Sequence, residues 1–199
     1  MKRMARRLTF LAVPVTAVLF ASCLFDTRDA QPPATGGGGG CTLDSPQKAF
    51  VCMTNALTAH QDGDYERSIS ENFVFSPTLA DSLDQNFSGI DPSPYANWGK
   101  QTELDVLALM LADNTETVPD FGTPSLIFNK NTFVRYSVTY SLRVVSNAAT
   151  PDTTIYKGVA EIDVRNENGN WRVTFWNEVA TVAGSSTWGF LRGILKLRT

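Results

Sequence analysis

Between Thr132 and Val145 the side chains alternate with a period of two. Val134, Tyr136, Val138, Tyr140, Leu142 and Val144 are apolar or aromatic, while Arg135, Ser137, Thr139, Ser141 and Arg143 fill the positions between them. Successive strand residues point to opposite faces, so the pattern predicts a strand with one face in a core. Leu126 to Phe128 and Thr153 to Arg165 read as its neighbours, and Asn168-Gly169 predicts a tight hairpin into a last strand from Trp171 to Thr181. The first half of the domain has a different period. Behind Ser45-Pro46, a capping hydroxyl followed by proline at the first helical position, Phe50, Met53, Leu57 and His60 recur at three- and four-residue spacing and share one helix face. Gln61-Asp62-Gly63 ends that helix, and Asp64 can cap a short second one reaching Glu71. Phe73 to Phe75 reads as a brief strand, Ser76 to Asn97 as a long loop, and Trp98 to Leu111 as a third helix burying Leu104, Leu107, Ala108 and Leu111. Helices followed by an antiparallel meander predict an α+β fold, with the N-terminal helices packed on a curved antiparallel sheet.

Ahead of this domain the pattern changes again. Met1 to Arg7 is basic, and Leu8 to Phe20 is nearly uncharged and mostly apolar. That run is about thirteen residues, against the roughly twenty that a helix needs to span hydrocarbon, and Pro14 interrupts it. It reads as an export signal, not as a permanent transmembrane helix. At its end, Phe20-Ala21-Ser22-Cys23 resembles the lipobox of bacterial lipoproteins, with Phe20 where leucine is usual. The resemblance implies that residues 1–22 are a signal peptide and that Cys23 is lipidated and becomes the new N-terminus. The chain would then be held to the bacterial cell envelope by a lipid anchor. Leu24, rather than aspartate, follows the cysteine, which by the same resemblance permits passage to the outer membrane, facing the periplasm or the cell surface. From Leu24 to Gly40 the sequence is poor in apolar residues, contains Pro32-Pro33 and ends in the glycine run 36–40. Residues 23–40 therefore read as a lipidated cysteine and a flexible tether, which leaves 41–199 for one domain with its own core.

The formal net charge of −3 becomes more negative once Lys2, Arg3, Arg6 and Arg7 leave with the signal. A nucleic-acid surface needs a concentrated basic footprint, so nucleic acid is an unsuitable partner. Of the 3 cysteines, Cys41 and Cys52 remain after Cys23 is committed to lipid. Export places them in an oxidising compartment, where a bridge between them would pin the start of the domain to the first helix.

The order of elements resembles the NTF2-like superfamily, in particular its SnoaL-like members. The resemblance is carried by the long first helix, Asp62-Gly63-Asp64-Tyr65 opening the second, the strand at Phe73 to Phe75, the third helix and the curved sheet. Gly158 to Asp163, Gly169-Asn170-Trp171-Arg172-Val173, Trp176 and Ser186-Thr187-Trp188-Gly189 add a likeness to lipoproteins of this type. It implies an NTF2-like, cystatin-like cone spanning residues 45 to 195. Members include isomerases, cyclases, dehydratases and non-catalytic binding modules, so the fold does not choose a function.

In such a cone the helices and the concave sheet face enclose a pocket. The alternation assigns Tyr136, Tyr140, Tyr156, Trp171, Phe175 and Asn177 to its lining, suited to a small apolar ligand. The competing reading is that these side chains simply fill the core. His60, the single histidine, lies near Asp62 and Asp64 and could act with them as a general base in a SnoaL-like site. It could equally cap a helix C-terminus, where the dipole favours positive charge. The same alternation puts Glu161, Asp163 and Glu178 on the outer face, which leaves ketosteroid-isomerase-type chemistry without its inward carboxylates. No metal-ligand spacing, nucleophile elbow or phosphate-binding glycine loop is present, so neither metal nor cofactor is expected. Trp176 also falls on the outer face, either as a contact for a homodimer or an envelope protein, or covered by the last segment, where Trp188, Leu191, Ile194 and Leu195 recur opposite Arg192 and Lys196. The reading as a whole is a lipid-anchored, non-catalytic module for a small apolar ligand or an envelope protein, with a His60 enzyme as the alternative.

Overall fold

The computed structural model describes residues Cys41–Thr199. The expected signal peptide 1–22, the expected lipidation site Cys23 and the expected tether 23–40 lie outside the described residues. Helix α1 (Pro46–Thr58) starts where the Ser45 hydroxyl accepts from the Lys48 amide and Pro46 occupies the first turn. Its stripe of Ala49, Phe50, Met53, Ala56 and Leu57 is buried, and Cys52 on the same helix is joined by a disulfide to Cys41, with the Cα atoms 5.5 Å apart. His60 does not lie on that helical face; it sits past the end of α1 with a φ of 52°, where the chain turns.

Helix α2 (Asp62–Ser68) is shorter than the spacing suggests, because Ile69 and Ser70 are drawn into the sheet as the start of β1 (Ile69–Ser76). A short α3 (Leu79–Ser82) breaks the long loop, and α4 spans Lys100–Asp113. The sheet then continues through β2 (Asn114–Phe121), β3 (Ser125–Lys130), β4 (Phe133–Ser146), β5 (Thr153–Glu167) and β6 (Asn170–Thr181), and α5 (Trp188–Lys196) closes the chain. Strand β2 has weak alternation and a proline, Pro119, which a sheet tolerates on an edge strand. It lies along Tyr140–Ser146 of β4, while β3 lies along Phe133–Ser137 of the same edge.

The strand order is β1-β6-β5-β4-β2, with β3 paired to β4. Strand β1 runs parallel to β6, so the sheet is mixed, not purely antiparallel. Nothing in the alternation of a strand encodes its direction, and only the path of the chain through the helices sets it.

The decisive irregularity is in β6. Val173 pairs with Val164, yet Phe175 pairs with Asp163, so Thr174 is an extra residue; a second slip separates Glu178 from Ala180. Each bulge bends the strand and inverts the phase of everything beyond it. Trp171 and Val173 face the helices before the first bulge, and after it Trp176 and Glu178 do, opposite Ile162 and Ala160. The sheet thereby curls around α1, α4 and α5, and its hydrophobic core is drawn wholly from residues between Leu43 and Leu195. The described residues are therefore a self-contained folding unit.

Candidate functional site

The interior of the cone holds α5. Its Thr187 cap accepts from the Phe190 amide and donates to Asp81 at 2.8 Å. Two glycines let the helix sink in. A Cβ on Gly189 would lie 3.1 Å from Glu178 and 3.2 Å from Asp81, and one on Gly193 would lie 2.2 Å from the Tyr95 hydroxyl. The face of α5 that enters carries Trp188, Leu191, Arg192 and Leu195.

Arg192 is thus in the core rather than opposite the apolar stripe. Its guanidinium is bound to Glu103 of α4, with Nη2 2.6 Å from Oε1 and Nε 3.1 Å from Oε2. Nη1 lies 3.8 Å from Glu178. Three rings enclose it, with Trp188, Phe75 and Trp176 centroids 4.3, 4.6 and 4.8 Å from the guanidinium carbon. Each carboxylate has its own neutral donors. Glu103 accepts from the Tyr65 hydroxyl at 2.7 Å and the Trp98 indole at 2.9 Å. Glu178 accepts from the Tyr140 hydroxyl at 2.7 Å and the Trp176 indole at 3.0 Å. Tyr140 in turn accepts from the Trp188 amide at 3.0 Å. Buried charges persist where they are paired and hydrogen-bonded, which describes this cluster apart from Nη1 of Arg192, buried without a hydrogen-bond partner among the described residues.

The electrostatics follow from the packing. Burial opposes the Arg192 charge, but Glu103, Tyr65 and Glu178 outweigh it and raise the group above its ordinary value. Burial pushes Glu178 up to about 7, against the opposing pull of Arg192, Tyr140 and Trp176. Burial also raises the Tyr65 and Tyr140 phenols, helped by Glu103 and Glu178 respectively. A raised folded-state value for Glu178 stabilises the fold below its ordinary 4.5, and this contribution is lost as pH rises through about 7. Once both states are ionised, that difference is on the order of 3 kcal/mol. Glu178→Gln keeps an acceptor for Tyr140 and Trp176 without the charge. Its melting temperature relative to the unsubstituted chain is therefore expected to improve steadily between about pH 4.5 and 7. Parallel pH profiles of the two proteins would refute the assignment.

Several expected residues stand elsewhere than the alternation put them. Trp176 is fully buried and packs on Trp188 at 5.1 Å, so it is an interior residue covered by α5 and not an outer contact. Glu178 is likewise interior. Conversely, Phe175 and Asn177 pair with Asp163 and Glu161 on the outer face and line no interior pocket. Trp171 and Tyr156 are half-buried against the core, and Tyr136 packs edge-on against Phe50 at 5.5 Å. Tyr136 and Tyr140 are buried in the core. The His60 ring makes no hydrogen bond to Asp62 or Asp64, and its Nε2 is buried without a partner. Asp62 instead accepts from the Gly63 amide at 2.8 Å and Asp64 binds Arg67 at 3.1 Å, so the three do not form a base with its orienting carboxylate. The residues that sequence reasoning missed are Glu103, Arg192 and Asp81. A signal existed for Arg192, which falls four residues after Trp188 and three before Leu195 on a helical stripe.

Open space lies outside the cone. A groove of about 430 Å³ runs between α1 and β2, lined by Phe50, Val51, Thr54, Pro119, Phe121 and Pro124 among others. Val51 is 54% exposed at its rim. The Phe121 ring, 5.8 Å from Trp176 and 6.0 Å from Phe50, separates the groove from the interior cluster.

No protein-family model matches the sequence, and no curated protein does. Solved structures do match the fold. A candidate aromatic ring hydroxylase from Novosphingobium aromaticivorans is similar with a TM-score of 0.55 at 12% identity, over 73% of this chain and 92% of that one. A candidate scytalone dehydratase from the same organism gives 0.54 at 10% identity, over 71% and 89%. The type 2 hexachlorocyclohexane dehydrochlorinase LinA gives 0.50 at 14% identity, over 70% and 88%. The fold is NTF2-like. At these identities the likeness is one of architecture alone.

Proposed function

We propose that the protein is a lipid-anchored, non-catalytic module of the bacterial cell envelope that binds a small apolar ligand in the groove between α1 and β2. The observation that carries this reading is the filling of the cone. The concave face of the sheet is occupied by α5 and a paired, ring-enclosed Arg192, and the carboxyl poised nearest neutrality, Glu178, is shut off from solvent. A general acid or base must reach a substrate proton, and a buried Glu178 cannot. The α1–β2 groove, by contrast, is open, apolar and of the size that takes a small ligand. The lipobox-like Phe20-Ala21-Ser22-Cys23 supports the anchor.

The groove is tested with the apolar fluorophore 1-anilinonaphthalene-8-sulfonate. The folded protein is expected to bind it saturably, and Val51→Glu is expected to weaken binding by roughly tenfold or more, because a carboxylate must lose water against the probe. Val51 is exposed, so the substitution should leave the melting temperature within about 1 °C of the parent. Equal binding by Val51→Glu would remove the groove from consideration. A retained small molecule in native mass spectra of the protein from its own host would name the ligand.

A further inference from the structure

At one end of the sheet the protein exposes what a soluble fold normally covers. All six residues of β3 are exposed, with Leu126, Ile127 and Phe128 at 57, 50 and 41%. Phe128 packs on Phe133 of β4 at 5.5 Å, on the outer face. Cations sit on these rings: the Lys130 ammonium is 5.4 Å from the Phe128 centroid, and the Arg165 guanidinium is 4.8 Å from that of Phe133. Arg135 lies 5.9 Å from Phe133 while holding Asp163. Of the acidic groups near it, Asp163 is held by Arg135 and Glu167 by Arg172 at 3.6 Å and by the Ser70 hydroxyl at 2.7 Å, while Glu161 lies near Arg135 as a further negative charge. In a chain of net negative charge, this end combines large apolar side chains with two cations, Lys130 and Arg165, that no carboxylate among the described residues holds.

The same end is where the domain begins. The Trp171 amide donates to Leu43 at 2.6 Å, and Trp171 follows the β5–β6 turn. The Asn166 amide donates to Thr132 at 2.9 Å, and Phe133 pairs with Arg165, so the β3–β4 and β5–β6 turns lie side by side. Leu43 therefore enters the fold at the same end of the sheet as the β3–β4 turn.

We propose that the β3–β4 hairpin end is a bilayer-contact surface that takes anionic phospholipid, with Ile127 and Phe128 entering the interface and Lys130 and Arg165 binding headgroup phosphates. The inference rests on the lipid-anchored reading for nearness to a bilayer, which an anchor at Cys23 would supply. Its chemistry stands on the surface alone. Apolar side chains flanked by lysine and arginine bind interfaces through buried area plus attraction to anionic lipid.

The test is co-sedimentation of residues 41–199, a self-contained unit, with vesicles of phosphatidylcholine alone or mixed with phosphatidylglycerol. The domain is expected to pellet with the anionic vesicles and to be released by salt. Lys130→Glu and Arg165→Glu should each weaken binding by about fivefold or more, and Ile127→Ser with Phe128→Ser by more than roughly tenfold. The paired control Leu79→Ser and Leu83→Ser removes still more exposed apolar residues from α3 and its C-cap. Helix α3 is tied through Asp81 to Thr187, next to the Ser186 carbonyl that accepts from Lys157 at the far end of β5. It should leave binding unchanged. The proposal is overturned if the domain stays in the supernatant with anionic vesicles, or if the α3 control weakens binding as much as the hairpin variants. A domain that ignores vesicles but forms a dimer dispersed by Phe128→Ser would give the surface to a second copy of the chain, which also overturns it. The anchor fails separately: an exported chain whose mass shows no lipid on Cys23 would refute that reading and leave the vesicle result intact.

Discussion

Glu103→Ala is expected to destabilise the domain by about 3 to 5 kcal/mol, read as a fall in the midpoint of urea unfolding with an unchanged slope. The loss comes from what remains behind. Arg192 would keep its charge while 1% exposed, with only Glu178 at 3.8 Å to face it, and the Tyr65 hydroxyl and Trp98 indole would lose their acceptor. Arg192→Ala should cost a similar amount, because it strands Glu103 among rings. The double variant should lose less than the sum of the two by roughly 2 kcal/mol, since each substitution alone pays for the same orphaned partner. Strictly additive losses would mean that the pair does not act as a unit.

Trp176→Ala should cost about 3 to 5 kcal/mol as well, by a different route. The indole is fully buried, touches Trp188, Tyr140 and Phe121 through its ring, covers the Arg192 guanidinium and donates to Glu178. Its removal opens a cavity on the inner side of α5 and leaves the carboxyl with Tyr140 as its donor. Thermal unfolding followed by near-ultraviolet circular dichroism would register both the lower midpoint and the altered aromatic packing. A variant that melts with the parent but has lost an association would return Trp176 to the outer face.

The second expectation turns on one residue of backbone. Alternation from Trp171 onward places Phe175 and Asn177 with the core and Trp176 and Glu178 outside, and the bulge at Thr174 reverses those assignments. Strand β4 has an unbroken register with β5, and there the buried positions Val134 to Val144 match the alternation in full. The first helix with its Ser45 cap and the Asn168-Gly169 hairpin were equally legible, since their patterns are local, whereas the third helix was legible as an element but not in its buried face, which is Glu103, Val106, Leu107 and Met110 with Ala108 exposed. Strand β2 was not, because its side chains alternate poorly and its pairing depends on β4.

By itself the sequence determined many of the local periods: helices α1 and α4, the long strands, the Ser45 cap and the tight turn, and hence an α+β fold with Cys41 and Cys52 near its start, but not α3, β2 or the start of α2 at Asp62. Those follow from interactions within a few residues. Only the tertiary structure decided the direction of β1, the face of Trp176 and Glu178, and the seating of Arg192 in the core. A bulge shifts phase without a marker in composition, and a buried arginine is tolerable only where Glu103, Tyr65 and three aromatic rings converge on it from distant parts of the chain.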